Sequence, residues 1–158
     1  MRKIAQPRRI GRNRKHFLPD EEGTPHSDAL RALEANPDLI TGNHEHYSQV
    51  RVLDWLYRNR RDAYNLTHST PNGGLRAKRT ATKLVAEGQK KGYPDLSLDL
   101  ARGDYHGMRI EMKYGSNQLT PEQLKWMERL SDAGYYCFEA RSAEEAITAI
   151  TEYLSINE

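Results

Sequence analysis

Residues 94–113 read PDLSLDLARGDYHGMRIEMK, and their alternation decides the fold class. Leu96, Leu98 and Leu100 alternate with Ser97 and Asp99, while Met108, Ile110 and Met112 alternate with Arg109 and Glu111. Successive side chains of a strand point to opposite faces, so this period of two makes both segments strands, each with an apolar and a polar face. Gly103 and Gly107 bracket the loop between them and close the pair into a hairpin. Asp95, Ser97 and Asp99 then share the polar face with Arg109, Glu111 and Lys113. Folding the hairpin about its loop brings Glu111 to the level of residues 95–99, so carboxylates and an ammonium converge.

Working outward, Thr120-Pro121-Glu122-Gln123 is a capping box with proline at the first helical position, opening a helix that ends at Gly134. Residues 135–139 read as a buried strand. Ser142-Ala143-Glu144-Glu145 is a second capping box, and Ala146, Ile147, Ile150, Tyr153 and Leu154 give the helix behind it an apolar stripe. Toward the N-terminus, residues 75–87 are helix-compatible and stop at Gly88, and the loop HSTPNGG at 68–74 is rich in turn residues. A short strand is expected at 63–67. Asn43 is positioned to cap a helix over 44–60 with Tyr47, Val50, Leu53 and Tyr57 along one face, and a short helix after Ser27 is stopped by Asn36-Pro37. Residues 1–26 carry Pro7, Gly11, Pro19, Gly23 and Pro25 without hydrophobic period, which predicts an extended basic arm. The expected organisation is therefore that arm, followed by one α/β domain over 27–158.

Composition narrows the function. The 158 residues fit one domain, no stretch approaches 18 consecutive apolar residues, and no apolar run follows the basic start, so a cytoplasmic protein with no membrane span is expected. The one cysteine, Cys137, lies in the run YYCF and is expected to be a buried structural thiol. The net charge of +2 conceals segmental sorting. Residues 1–16 carry seven Lys or Arg and no acid, and residues 76–91 carry six bases against Glu87. Residues 18–57 hold eight acids against two bases, and residues 122–158 eight against three. Such sorting suggests one cationic surface facing a polyanion, although a charge run is also what a solvated face looks like. No phosphate-binding or dinucleotide glycine loop is present, so a nucleotide cofactor is not indicated.

Two carboxylates beside a lysine form a hard-oxygen donor set suited to Mg2+ or Mn2+, and a lysine there orients water and offsets charge on a phosphorane. Pro94-Asp95 followed after the hairpin by Glu111-Met112-Lys113 resembles the PD-(D/E)xK signature of the restriction-endonuclease-like superfamily. The surrounding sequence, PNGGLRAKRTATKLVAEGQKKGYPDLSLDL and GMRIEMKYGSNQLTPEQLKWMERLSDAGYYCFEARSAEEAITAITEYL, resembles the VRR-NUC family of virus-type replication-repair nucleases from about residue 45 onward. This resemblance implies a mixed central sheet flanked by helices. It also implies that Asp95, Glu111 and the backbone carbonyl of Met112 hold a metal, that Lys113 positions the water, and that Gln123 faces the site. Glu45 matches the family's acidic residue on the N-terminal helix, completing the metal shell directly or through water; His68 and Asn72 fall near the site.

Each residue also has a plainer reading. Asp99 has the parity of Asp95 but is expected to be an ordinary polar-face residue. An acid at Glu45 is favoured in a first helical turn whatever its function. His44 and His46 flank Glu45, but residues two apart on a helix diverge, so zinc is not expected. Arg76, Lys78, Arg79, Lys83, Lys90 and Lys91 are expected to contact DNA phosphates, and Trp126 to pack in the core. The family includes junction-resolvase-like nucleases and the nuclease domain of an interstrand crosslink repair enzyme. The resemblance therefore implies a phage- or prophage-type endonuclease cutting branched DNA in repair, Holliday junctions included, as a homodimer with Leu30, Leu33, Leu39 and Trp55 as interface candidates. Two rivals stand beside it: a non-catalytic DNA-binding module on the same fold, and a sequence-specific restriction-type enzyme.

Overall fold

The computed structural model describes residues 23–70 and 83–156. Helix α1 (Pro25–Ala35) opens earlier than expected because Thr24, not Ser27, is its N-cap; Ser27 is the reciprocal partner three residues on. A 3-10 turn (Pro37–Ile40) leads into α2 (His44–Asn59). Asn43 stands at the cap of α2 but donates its amide to the Leu39 carbonyl, so its side chain caps nothing. Arg61–Tyr64 adds one further turn, α3, and β1 (Thr67–Ser69) follows. The strand expected at 63–67 is thus displaced. Ala63 enters the core from a helical turn, and the strand that remains is polar and shows no apolar alternation.

The hairpin forms as expected. β2 (Leu96–Leu98) pairs antiparallel with β3 (Met108–Met112), Leu96 opposite Ile110 and Leu98 opposite Met108. Leu100, expected in the first strand, lies beyond its end. Helix α4 (Pro121–Asp132) carries the chain to β4 (Tyr136–Ala140), which runs parallel to β3, and α5 (Ala143–Ser155) follows. The sheet order β1-β2-β3-β4 with antiparallel, antiparallel and parallel pairings makes a mixed four-stranded sheet flanked by helices. Of the helix expected at 75–87, residues 83–86 are helical; residues 71–82, like the arm up to residue 22, lie outside the described residues.

One face of the sheet makes the core. Leu96, Leu98, Met108, Ile110 and Met112 pack against Val52 and Leu56 of α2 and Ala146, Ile150 and Tyr153 of α5. Each valine, leucine, isoleucine or methionine among them contributes about 1.5–3 kcal/mol on burial. The Tyr153 hydroxyl, carried inside with its ring, donates to the Leu100 carbonyl at 2.7 Å. Leu33 is buried, Trp55 is partly buried against this core, and Leu39 is exposed. Among the described residues no helix is long and apolar enough to cross a membrane.

The other face is polar yet equally buried, with Ser97, Arg109, Glu111 and Lys113 all shielded from solvent. Helix α4 reaches over it, and a buried charge persists only with partners. Arg109 has them: its guanidinium lies 3.0 Å from Asp99 and over the Tyr135 ring, and donates to the Tyr93 hydroxyl at 3.3 Å. Asp99 is thus a half-exposed polar-face residue, as expected, and it pairs with Arg109. Cys137 stands opposite Arg109 across the β3–β4 pairing and is half-buried rather than fully buried; burial raises its thiol pKa, with Arg109 opposing, which suits an unreactive thiol.

Candidate active site

Four segments meet at the end of the polar face: the bend before β2, the C-terminal half of β3, the N-terminus of α4 and the first turn of α2. Glu111 is at the centre. Its Oε1 accepts from Lys113 Nζ at 2.9 Å, and side chains two apart on one strand meet in this way because they share a face. The same oxygen accepts from Gln123 Nε2 of α4. Gln123 is the last residue of the capping box read from the sequence, and its own carbonyl oxygen accepts from the Thr120 amide at 2.9 Å. The loop before the hairpin is pinned to this helix start. Trp126 Nε1 donates to the Lys91 carbonyl at 3.1 Å, its ring meets Tyr93 edge-on, and Lys91 Nζ lies 3.0 Å from Glu122. Gly92, at φ +76°, lies so close to α4 that a Cβ there would stand 3.0 Å from the Gln123 nitrogen. Trp126 thus packs partly buried between loop and helix, outside the main core.

Asp95 closes the other side. It is half-buried, and its Oδ2 accepts from the Met112 backbone N–H at 2.9 Å, tying the bend to the end of β3. Its main-chain carbonyl accepts from the Thr70 amide at 2.8 Å. Glu45 sits half-buried in the first turn of α2, its Oε1 accepting from Asn117 at 3.3 Å.

Charge is concentrated here. Glu111 is 1% exposed, and burial is the largest influence on its carboxyl; the negative charges of Asp95 and, more weakly, Glu45 act in the same direction while Lys113 opposes. The result is a pKa raised from 4.5 to about 7. Glu111 Oε2 is buried and has no hydrogen-bond partner among the described residues, as is Ser97 Oγ on the neighbouring strand. An orphaned, buried carboxylate oxygen next to a second carboxylate is what a hard divalent cation would satisfy. The donor set fits such an ion in a limited form. Among the described residues no group of three or more His, Cys, Asp and Glu is arranged to hold a metal, so an ion here would draw on the two carboxylates Asp95 and Glu111 and otherwise on waters or main-chain oxygens.

The remaining candidates are more dispersed. His68 on β1 is exposed, lies opposite Ser97 and stands 3.6 Å from Asp99, one row of the sheet away from Asp95 and Glu111. Lys83, Lys90 and Lys91 are exposed; Lys83 lies 3.7 Å from Glu87. Asn72, Arg76, Lys78 and Arg79 lie outside the described residues.

Several participants carry no sequence signal. Arg141 donates to the Gly115 carbonyl at 2.8 Å and the Asn117 carbonyl at 3.0 Å and pairs with Glu139, holding the loop after Lys113 against the sheet. His44, discounted as a zinc ligand, stacks on Tyr114. No spacing rule links a residue near 141 to a loop near 116.

The VRR-NUC domain pattern matches residues 32–144, most of the chain and all of the assembled cluster. The chain belongs to the VRR-NUC family. A solved structure described as a VRR_NUC domain protein is 33% identical, covers 73% of this chain and 91% of its own, and superposes with a TM-score of 0.65. No curated protein matches the chain at a significant level. The VRR-NUC domain is a nuclease-type domain, and both the mixed sheet and its helical flanks agree with the family.

Proposed function

We propose that this protein is a Mg2+- or Mn2+-dependent endodeoxyribonuclease that hydrolyses phosphodiester bonds in branched DNA, Holliday-junction-like substrates included. It would act in the cytoplasm as a homodimer. The observation that carries the reading is Glu111: one buried oxygen held by Lys113 and Gln123, the other without a partner, and Asp95 beside it. A non-catalytic DNA-binding module has no use for this arrangement, because burying an incompletely satisfied carboxylate destabilises a fold unless a ligand answers it.

Asp95, Glu111 and the Met112 carbonyl would hold the ion, with Glu45 reaching it through water. Bound there, such an ion neutralises developing charge on the phosphate and makes water more acidic. The protein's own contribution is positioning. Lys113 has three donors, one committed to Glu111; the others point the attacking water and a phosphoryl oxygen. Gln123 holds Glu111 from above and is itself fixed by Thr120, so the carboxylate keeps one orientation. Asp95, bonded to the Met112 amide, sets the spacing between bend and strand. Lys83, Lys90 and Lys91, with Arg76, Lys78 and Arg79, would track the phosphates of the bound duplex, and Lys91 would exchange Glu122 for phosphate.

A homodimer follows from symmetry: paired cuts across a four-way junction need two sites related by a twofold axis. The test is to incubate the protein with labelled four-way junction and linear duplex, with Mg2+, with Mn2+ and with chelator, beside light scattering. Metal-dependent, paired nicks in the junction by a dimer are expected. A monomer that cuts linear duplex equally well would contradict the substrate and assembly assignments, and no cleavage of any DNA would contradict the nuclease assignment.

A further inference from the structure

At the rim of the site stand two rings that the proposed chemistry does not use. Tyr114 directly follows Lys113, and His44 directly precedes Glu45. Their ring centroids are 3.7 Å apart and their planes 2° from parallel. Tyr114 is nevertheless 47% exposed, more than any other Tyr, Trp or Phe among the described residues. His44 covers one of its faces, and no other ring stacks on it among the described residues. Tyr114 thus stays about half exposed beside buried catalytic candidates, stacked on one ring and with surface left for a ligand.

Neighbouring contacts hold the backbone that carries the platform. His44 belongs to the first turn of α2. Beside it, the Asn117 amide donates to the Tyr114 carbonyl at 3.2 Å and its side chain to Glu45 at 3.3 Å, while Arg141 grips the Gly115 and Asn117 carbonyls. A flat, preorganised aromatic face stacks a nucleobase with little ordering penalty and no sequence preference. Bases inside a duplex are already stacked on each other, so an unpaired base, or a pair at an open end, is what presents a face to Tyr114.

We infer that Tyr114, backed by His44, is a stacking platform for one unpaired nucleobase next to the cleaved phosphate. The substrate class is therefore DNA with a single-stranded element at the cut, such as a flap, fork or opened junction arm. This inference rests on the nuclease reading and goes beyond it by naming the group that selects branched over continuous DNA.

The experiment uses 2-aminopurine, whose fluorescence is quenched on stacking, at the first unpaired position of a flapped duplex, titrated with the full chain in Ca2+. The control is a covalently closed duplex minicircle with the probe internal. Wild type and Tyr114→Phe are expected to quench the flap probe strongly, whereas Tyr114→Leu binds the flap roughly tenfold or more weakly without quenching. Affinity for the closed duplex should stay within about twofold, as it offers no free base face. His44→Ala is expected to lie between, because the platform loses its backing. Equal flap binding and quenching by Tyr114→Leu and wild type, with both folded by melting, would overturn the inference while leaving the nuclease reading intact. Failure of wild type to bind either DNA would overturn both.

Discussion

Gln123 joins two structures through one amide: its carbonyl oxygen accepts the Thr120 backbone N–H, and its nitrogen donates to Glu111 Oε1. The start of α4 and the orientation of the central carboxylate are therefore set together. A carboxylate at residue 123 could still close the capping box, since Glu serves there as well as Gln, but it would face Glu111 with like charge.

Gln123→Glu is expected to keep the cap of α4 and to lower cleavage about 10- to 100-fold, the size of effect seen when a partner of a metal-binding residue is lost; any fall in melting temperature then reads the like charge beside Glu111. Gln123→Ala should lower both stability and cleavage. Melting curves beside Mn2+-dependent cleavage separate the two, and wild-type cleavage by Gln123→Ala with only a lower melting temperature would reduce Gln123 to a helix cap.

Glu111 makes the metal-free protein less stable as pH rises. Its folded pKa of about 7 exceeds its ordinary 4.5, so the folded state binds more protons across that window. Stability is expected to fall from pH 4.5 to 7 by about 3 kcal/mol from this group and to level off above. Glu111→Gln should remove the decline and be more stable than wild type at pH 8. Mg2+ should stabilise wild type more at pH 8 than at pH 5, since protons compete with the ion at low pH. Chemical denaturation at several pH values checks the sign; stability rising over this window would contradict it.

The hairpin and the clustering of the candidate residues on it were legible because period two, the glycines at 103 and 107 and the spacing of Asp95, Glu111 and Lys113 are all local features. Both N-cap positions after β3 were legible for the same reason, although Glu145 turns its carboxylate to the Arg141 amide instead of closing the second box. What was not legible depends on coverage. Nothing in the alternation says that α4 shields the polar face and leaves Glu111 a buried carboxylate, or that Asp99 pairs with Arg109. β1 was misplaced because an edge strand reading Thr-His-Ser has no apolar period, whereas the preceding helical turn supplies the buried Ala63.

Glu45 lies far enough out to be separable. Its negative charge helps raise the Glu111 pKa, so Glu45→Gln is expected to lower the pH at which Glu111 titrates and to weaken Mn2+ binding about 10- to 100-fold. The loss of its favourable place in the first turn of α2 amounts to about 0.3–1 kcal/mol. Calorimetric Mn2+ titration decides: unchanged affinity with only a lower melting temperature makes Glu45 structural.

Deleting residues 1–16 removes seven positive charges. Binding to DNA should weaken with a shallower dependence of log affinity on log salt, because fewer counterions are released, while cleavage at saturating protein persists. An unchanged slope, from fluorescence anisotropy at several salt concentrations, would show that the arm does not touch phosphate.

The central claim is that the Asp95, Glu111 and Lys113 cluster performs hydrolysis. Single-turnover cleavage of a labelled branched DNA in Mg2+ or Mn2+, at protein concentrations saturating for binding, tests it most directly. Asp95→Asn, Glu111→Gln and Lys113→Ala are each expected to bind the DNA and remain folded yet cleave at least about a hundredfold more slowly than wild type. Cleavage by Glu111→Gln at the wild-type rate would contradict the account.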